Sequence, residues 1–161
     1  MKPTVTTYIG VGSNMGDREA HLRRALAMLI ETPGLEIRRI SAFLTNPAQG
    51  GPEGAPEFLN CAVEAVTALP PKELMKRLLE IEHQIGRVRR EKWEPRVIDL
   101  DLLLHGNTIL STDSLIVPHP LMHERMFVLK PLAEIAPNAL HPTLGVNVKT
   151  LLHKLETAAV D

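Results

Sequence analysis

The sequence lacks features that mark several common protein classes. It contains one cysteine, Cys61, so an internal disulfide is excluded and a reducing compartment fits. The formal net charge of −1 argues against a general nucleic-acid-binding protein, whose binding surface is basic. No apolar run approaches the roughly 20 residues that cross a membrane, and no targeting segment is visible. We therefore expect one domain over residues 1–161, located in the cytoplasm.

Motifs of the best-known nucleotide and metal enzymes are also missing. Gly-x-x-x-x-Gly-Lys-Ser/Thr does not occur, which excludes a P-loop enzyme. The run Gly10-Val-Gly12-Ser-Asn-Met-Gly16 has its third glycine one position too late for a dinucleotide-binding loop, and we interpret it as a turn with structural glycines. His119 and His123 have a zinc-ligand spacing, but a proline lies between them and we expect no zinc site there.

The apolar pattern through residue 104 predicts strand, helix, strand, strand, helix, strand. Asp17 is a predicted N-cap, and Pro70-Pro71 opens the second helix. The phase of the second strand slips across Arg38-Arg39, which predicts a bulge. This order predicts an α+β fold with a ferredoxin-like β-α-β-β-α-β core, a mostly antiparallel sheet with helices packed on its faces. The predicted strands are residues 5–12, 35–45, 58–66 and 96–104, and two later helices are predicted around residues 127–135 and 148–155.

Two carboxylates, Asp99 and Asp101, interrupt a stretch that otherwise has the composition of a buried strand. Residues two apart share one face of a strand, so both side chains point the same way. Like charges side by side in an apolar setting repel each other and lose hydration, and bound cations relieve both costs. Oxygen-only ligands suit Mg²⁺. One face of this strand is predicted to carry Ile98, Leu100, Leu102 and Leu104, and the other Val97, Asp99, Asp101 and Leu103.

A basic loop at residues 86–95 leads directly into the carboxylate strand. Guanidinium groups beside two carboxylates are suited to a metal-bound polyphosphate, because the metal meets some phosphate oxygens and the arginines meet the others. A solvated charged loop is the alternative interpretation. The cationic residues are Arg87, Arg89, Arg90, Lys92 and Arg96.

The few aromatic residues, 3% of the chain, include three in or beside these segments. Phe58 shares a predicted strand face with Asn60, after a long loop at residues 46–57. Trp93 lies in the basic loop, and Phe127 follows Arg125 closely. A flat heterocycle is well held between aromatic faces while an amide reads its edge, although Phe58 and Phe127 could equally be core residues.

Together these segments resemble the 6-hydroxymethyl-7,8-dihydropterin pyrophosphokinase family of folate biosynthesis. The resemblance is carried by Arg96-Val-Ile-Asp99-Leu-Asp101-Leu-Leu103 and by further landmarks in family order over about residues 8–137. These landmarks are Gly12-Ser-Asn14, Thr45-x-Pro47, Phe58-Leu-Asn60, Gly86-Arg-Val-Arg89, Val117-Pro-His119, Arg125-x-Phe127 and Pro131-Leu…Glu-Ile-Ala-Pro137.

The resemblance implies transfer of a diphosphate from ATP to the hydroxymethyl oxygen of the pterin, with release of AMP. It implies that Asp99 and Asp101 hold two Mg²⁺ ions and that two long loops close over the site. Arginines 87, 89 and 96 would act on the phosphates as catalytic residues. The implied ATP contacts are Glu82, Arg87, Arg96, Leu102, His119 and Arg125, and the implied pterin contacts are Thr45, Asn46, Pro47, Phe58, Asn60, Trp93 and Phe127. A monomer is implied, with no nucleic-acid or membrane partner.

Two positions depart from the usual family pattern, and two other functions stay open. Glu94 stands where glycine is common, and Pro120 replaces a common aromatic residue. Another metal-dependent transferase, such as a nucleotidyl- or glycosyltransferase, also uses Asp-x-Asp. A ferredoxin-like binding module without catalysis would need no magnesium.

Overall fold

A computed structural model of the protein describes residues 3–46, 57–86 and 97–158. The longer strands are β1 (Val5–Ser13), β2 (Leu35–Ile40), β3 (Leu44–Asn46), β4 (Phe58–Thr67) and β5 (Asp99–His105). Short strands follow as β6 (Leu110–Ser111), β7 (Ile116–Val117), β8 (Leu140–His141) and β9 (Val146–Asn147). The helices are α1 (Arg18–Ile30), α2 (Pro71–Ile85), α3 (Met126–Ile135) and α4 (Val148–Ala158), with a 3-10 turn at Met122–Glu124.

The main sheet confirms the predicted ferredoxin-like arrangement. Its strands lie in the order β2-β4-β1-β5, and every pairing is antiparallel. β3 extends the sheet by pairing with β4 beyond the end of β2. The two long strands in the middle, β4 and β1, each have a partner on both sides. β5 is therefore an outer strand, and its free edge needs partners from elsewhere in the chain.

The first two helices begin and end where local chemistry predicts. The Asp17 carboxylate accepts a hydrogen bond from the Ala20 N–H at 3.1 Å, which confirms this residue as the N-cap of α1. Proline occupies the first turn of α2, where its missing N–H costs nothing, and Gly86 is the C-cap.

The sheet separates two hydrophobic cores. The first core lies between the sheet and helices α1 and α2, and includes Ile9, Val11, Cys61, Val63, Leu100 and Leu102. The second core lies on the opposite face under α3 and α4, and includes Ala62, Leu103, Leu104, Met122 and Leu129. Alternation along β4, with Cys61 and Val63 in one core and Ala62 in the other, follows the two-residue period of a strand.

Two of the predicted strands differ from expectation. The predicted strand at residues 35–45 is divided into β2 and β3, and the register of β2 against β4 shifts between Ile37 and Arg39, which confirms the bulge. In the gap between β2 and β3, Ser41 keeps contact with β4, because its Oγ accepts the Ala62 N–H at 2.8 Å.

Leu104 was wrongly predicted to face the same side as Leu100 and Leu102. Tyr8 is opposite Leu104 and Ile9 is opposite Leu102, so Leu103 is an extra residue with no partner of its own on β1. This bulge reverses the alternation, and Leu103 and Leu104 both lie in the second core.

Among the described residues, none of the helices combines the length and apolar character that crossing a membrane requires.

Candidate active site

The aspartates of β5 and the glycines of β1 form the floor of a cavity of about 360 Å³ on the second-core side of the sheet. Asp99 is opposite Gly12 and Asp101 is opposite Gly10 in the β1–β5 pairing. On the other side of β1, the same two glycines are opposite Asn60 and Ala62 of β4. The cavity is lined by Gly10, Val11, Gly12, Phe58, Asn60, Cys61, Ala62, Asp99, Asp101, Leu103, Arg125, Phe127 and Val128. Two carboxylates and one amide thus face each other across a strand that carries no side chains on this surface.

The Asn60 amide is oriented by a hydrogen bond from β3 and lies close to Gly12. Its Oδ1 accepts a hydrogen bond from the Asn46 Nδ2 at 3.1 Å, so the Nδ2 group faces Gly12. A Cβ atom on residue 12 would collide with that nitrogen, so glycine there leaves the Asn60 amide in its present position. Asn60 is only 8% exposed, and the amide presents an oriented donor to whatever occupies the cavity.

Two parallel aromatic rings stand above the floor. The ring centroids of Phe58 and Phe127 are 6.4 Å apart, and their planes differ by 12°. The two rings therefore present near-parallel aromatic faces beside the cavity, and such faces suit a flat ring. The Arg125 guanidinium carbon lies 5.5 Å from the centre of the Phe127 ring, which places a cation beside the aromatic pair.

A second cavity of about 300 Å³ lies along the outer edge of β5 and shares Asp101 with the first. The chain after β7 forms one wall, since the His119 N–H donates to the Leu103 carbonyl at 3.0 Å. The lining residues are Met75, Asp101, Leu102, Thr112, Asp113, Ser114, Leu115, Ile116, His119 and Pro120. The two cavities therefore adjoin at one carboxylate.

His119 is held as a neutral hydrogen-bond donor at this wall. Burial lowers the pKa of His119 below its ordinary value; the Asp101 carboxylate opposes this shift and the Arg125 guanidinium adds to it. The ring Nδ1 accepts the Leu121 N–H at 3.2 Å, so the remaining proton of the neutral ring is on Nε2.

Glu82 on α2 supports the carboxylate strand from its free edge. Its Oε2 accepts the Leu100 N–H at 2.6 Å, and Leu100 lies between the two aspartates. A buried strand edge must pair its amides, and a carboxylate makes a strong, charge-assisted partner. This contact fixes the backbone from which Asp99 and Asp101 project.

The donor set of the site suits a hard cation that brings its own further ligands. Among residues 3–46, 57–86 and 97–158, no group of three or more His, Cys, Asp or Glu side chains is placed to hold a metal ion. Two carboxylates alone match Mg²⁺, which is usually bound by one or two carboxylates with water and substrate phosphates completing its shell. Cys61 borders the cavity but lies in the first core, and burial raises the pKa of its thiol to about 12, so it is not a nucleophile near neutral pH.

The structure brings most of the described candidate residues together. Asp101 lines both cavities. The second cavity is also lined by Leu102 and His119. The first cavity is also lined by Phe58, Asn60, Asp99, Arg125 and Phe127. Glu82 contacts the backbone of β5, and Asn46 contacts Asn60. The side chain of Thr45 is exposed on β3. Pro47, Arg87, Arg89, Trp93, Glu94 and Arg96 lie outside the described residues.

Sequence reasoning missed the contribution of β1. Gly10 and Gly12 lie inside the strand predicted over residues 5–12 and form the cavity floor, whereas the interpretation of the run Gly10–Gly16 as a turn with structural glycines gives them no part in the site. Their spacing of two, inside an otherwise regular strand, places both on one face and was the available indication.

Comparison with known proteins gives a family match over most of the chain. Residues 8–137 match the family described as 7,8-dihydro-6-hydroxymethylpterin-pyrophosphokinase (HPPK). A Bacillus subtilis protein named 2-amino-4-hydroxy-6-hydroxymethyldihydropteridine pyrophosphokinase is 47% identical over 129 residues, covering 80% of this chain and 76% of that protein. A Methylorubrum extorquens protein of the same name is 41% identical over 154 residues, covering 96% of each.

A solved structure shows the same fold at low identity. The crystal structure of Plasmodium falciparum HPPK-DHPS with pterin and p-hydroxybenzoate superposes with a TM-score of 0.72 and 13% identity. The superposition covers 98% of this chain, which spans 44% of that longer protein.

Proposed function

The chain belongs to the 7,8-dihydro-6-hydroxymethylpterin-pyrophosphokinase family, and on that premise we propose that it transfers a diphosphate from ATP to the hydroxymethyl group of 6-hydroxymethyl-7,8-dihydropterin, releasing AMP, in folate biosynthesis. One observation carries the proposal: Asp101 lines both cavities. A reaction between two substrates needs their reacting ends at one place, and the shared carboxylate marks it.

The first cavity is the proposed pterin site. The ring stacks on Phe58 and Phe127, whose near-parallel faces suit a flat heterocycle. The Asn60 amide, oriented by Asn46, reads the polar edge of the ring. The backbone of residues 45–47 completes that edge in the proposal, and Trp93 covers the ring.

The second cavity is the proposed nucleotide site. His119 presents its Nε2 proton to a phosphate oxygen, and Leu102 lies against the nucleotide. Arg125 borders the first cavity, beside the point where the two cavities adjoin, and is suited to a phosphate by its charge and planar donors. Glu82 acts on ATP binding through β5. In the proposal, arginines 87, 89 and 96 meet the phosphates. The basic loop at residues 86–95 and the loop at residues 46–57 close over the substrates.

Asp99 and Asp101 are the proposed ligands of two Mg²⁺ ions that arrive with ATP. When bound, such ions neutralise phosphate charge and polarise the phosphorus under attack. The part played by this chain is positioning: the strand holds both carboxylates on one face, and Glu82 fixes the intervening backbone. Loop closure excludes water, which would otherwise compete with the pterin hydroxyl.

The proposal treats residues 1–161 as one catalytic domain that acts as a monomer in the cytoplasm. The family match over residues 8–137 and the single sheet shared by both cores support one domain. A lone, buried, free cysteine supports a reducing compartment.

The test measures AMP formation from ATP and Mg²⁺ with and without the hydroxymethyl dihydropterin. We expect AMP only when the pterin is present. Asp101→Asn should lower kcat/KM by about 100-fold or more, because one of two charged ligands becomes neutral. Its melting temperature without metal should not fall, since the substitution keeps the side-chain size and removes repulsion from Asp99.

Glu156→Gln, which neutralises an exposed acid on α4, is the matched control and should leave turnover unchanged. AMP formation without the pterin would indicate a different transferase. Full activity of Asp101→Asn would contradict the placement of the metals on β5.

A further inference from the structure

A carboxylate of helix α3 binds the β2–β3 connection, which is formed by residues 41–43. The Glu134 Oε2 accepts the Ala42 N–H at 2.7 Å. We propose that Glu134 is a positioning residue for pterin binding, because this contact fixes the strand that carries Asn46 relative to the helix that carries Phe127. This inference rests on the proposed placement of the pterin in the first cavity.

The β2–β3 connection contains one residue more than the part of β4 that it faces. Ile40 is opposite Val63 at the end of β2. Leu44 is opposite Asn60 at the start of β3, so three residues of the connection face two residues of β4. An extra residue in one strand is left without a partner on the other strand. The carboxylate of α3 supplies an acceptor for the Ala42 N–H within this bulged connection.

The extra residue also decides which face of β3 meets the first cavity. Because side chains alternate along a strand, a shift of one residue exchanges the two faces. In the observed register Asn46 is opposite Phe58, and its Nδ2 donates to the Asn60 Oδ1 at 3.1 Å. Both of these β4 residues line the first cavity. A contact that fixes the β2–β3 connection therefore also fixes the amide that orients Asn60.

Helix α3 is a firm support for this contact. The helix is anchored in the second core by Val128, Leu129, Leu132 and Ile135. The Arg39 guanidinium also donates to the Ile135 carbonyl at 3.2 Å, which gives the same end of α3 a contact with β2. Glu134 follows Phe127 by seven residues, close to two helical turns or about 10 Å along the axis, so both lie on one side of the helix. The contact thus sets how β3 lies relative to the side of α3 that carries the Phe127 ring.

The hydrogen bond lies where folding does not require it. Ala42 and Glu134 are both exposed, so water would pair with the amide if the carboxylate were absent. A carboxylate on a packed helix differs from water because it makes a strong, charge-assisted hydrogen bond in one direction. The contribution of Glu134 is therefore to the geometry of β3 more than to the stability of the fold.

The experiment measures AMP formation and determines the KM for the hydroxymethyl dihydropterin and the KM for Mg²⁺-ATP separately. Glu134→Ala should raise the pterin KM about fivefold, which corresponds to about 1 kcal/mol, the usual net contribution of one hydrogen bond. The ATP KM should change less than about twofold, since none of the described residues that line the second cavity lies on β3 or α3. Glu134→Gln should stay within about twofold of the wild type, because its amide oxygen can accept the same N–H.

Glu156→Ala is the matched control, because it removes an exposed carboxylate from another helix, α4. It should leave both KM values unchanged. The double variant Glu134→Ala/Asn46→Ala tests the route through β3. Its pterin KM should rise by less than the product of the two single increases, because both substitutions release the same amide of Asn60.

Several results would overturn the positioning role. These are an unchanged pterin KM in Glu134→Ala, an equal rise of both KM values, a glutamine variant as impaired as the alanine variant, and a double variant that shows the full product. Failure of Glu134→Ala to fold would also overturn it, because the bond would then serve stability.

Phe127→Ala separates failure of this inference from failure of the pterin placement. If the pterin stacks on Phe127, this variant should raise the pterin KM about 10-fold and leave the ATP KM nearly unchanged. An unchanged pterin KM would overturn the placement and the role of Glu134 together. A raised pterin KM in Phe127→Ala, with none in Glu134→Ala, would overturn the role of Glu134 alone.

Discussion

His141 is a buried histidine whose titration ties stability to pH. Its side chain is 4% exposed, and its ring lies edge-on to that of His123 with the centroids 6.1 Å apart. Burial lowers the pKa of His141, the neighbouring His123 lowers it further, and a backbone hydrogen bond opposes both. The folded protein therefore keeps this ring neutral at pH values where the unfolded chain binds a proton.

We expect the free energy of unfolding to fall as pH drops below about 6.5, the ordinary histidine pKa, and to level off below the folded-state pKa. His141→Asn should flatten this slope, because Asn cannot titrate while its Oδ1 can still accept the Leu144 N–H that Nδ1 accepts now. Denaturant unfolding at pH 7 and pH 5 measures the effect. His153→Asn, on the exposed side of α4, is the control; an unchanged slope in His141→Asn would show that other groups dominate.

At the scale of elements, one carboxylate joins α2 to β5. Glu82→Ala would leave the Leu100 N–H, in a residue 1% exposed, without this partner. A buried amide that loses its acceptor costs about 1–3 kcal/mol, and we expect that loss in the free energy of unfolding. Because Leu100 lies between Asp99 and Asp101, the KM for Mg²⁺-ATP should rise as well.

Glu82→Gln separates the hydrogen bond from the charge. The amide oxygen can accept the same N–H, so most of the stability lost in the alanine variant should return. Denaturant titration and steady-state kinetics on both variants check this. If Gln and Ala are equally destabilising, the bond to Leu100 is not what Glu82 contributes.

A substitution at the N-cap of α1 should change stability without altering the proposed active site. Asp17→Ala removes the acceptor for the Ala20 N–H and should cost about 1 kcal/mol of unfolding free energy. Asp17→Ser keeps a capping oxygen and should retain most of it. Turnover should be unchanged in both variants, and a drop in kcat for Asp17→Ala without a loss of stability would contradict a purely local role.

At the scale of the whole molecule, sequence patterns predicted the features that depend on residues close together in the chain. The two-residue period placed Asp99 and Asp101 on one face, and the caps of α1 and α2 followed from Asp17 and from proline. The ferredoxin-like order followed from the succession of elements, and the strand pairings confirm it.

The remaining features depend on contacts between distant parts of the chain. The bulge at Leu103 becomes visible only when β5 is aligned with β1, so the face of Leu104 could not be read from β5 alone. The parallel rings of Phe58 and Phe127 come from β4 and α3, and periodicity within either element does not bring them together. The role of the β1 glycines in the cavity floor depends on the side chains of the two flanking strands, which the sequence of β1 alone does not show.

The single extra residue at Leu103 has a consequence for how the chain tolerates length changes. Downstream of it, the Thr7 hydroxyl holds the Leu104 carbonyl at 2.7 Å, which anchors that half of β5. Deletion of Leu103 would make the pairs Leu102–Ile9 and Leu104–Tyr8 consecutive, so the strand would regain regular alternation with every other side chain on its present face. Asp99 and Asp101 would remain opposite Gly12 and Gly10, and the cost of the deletion would be the Leu103 side chain lost from the second core.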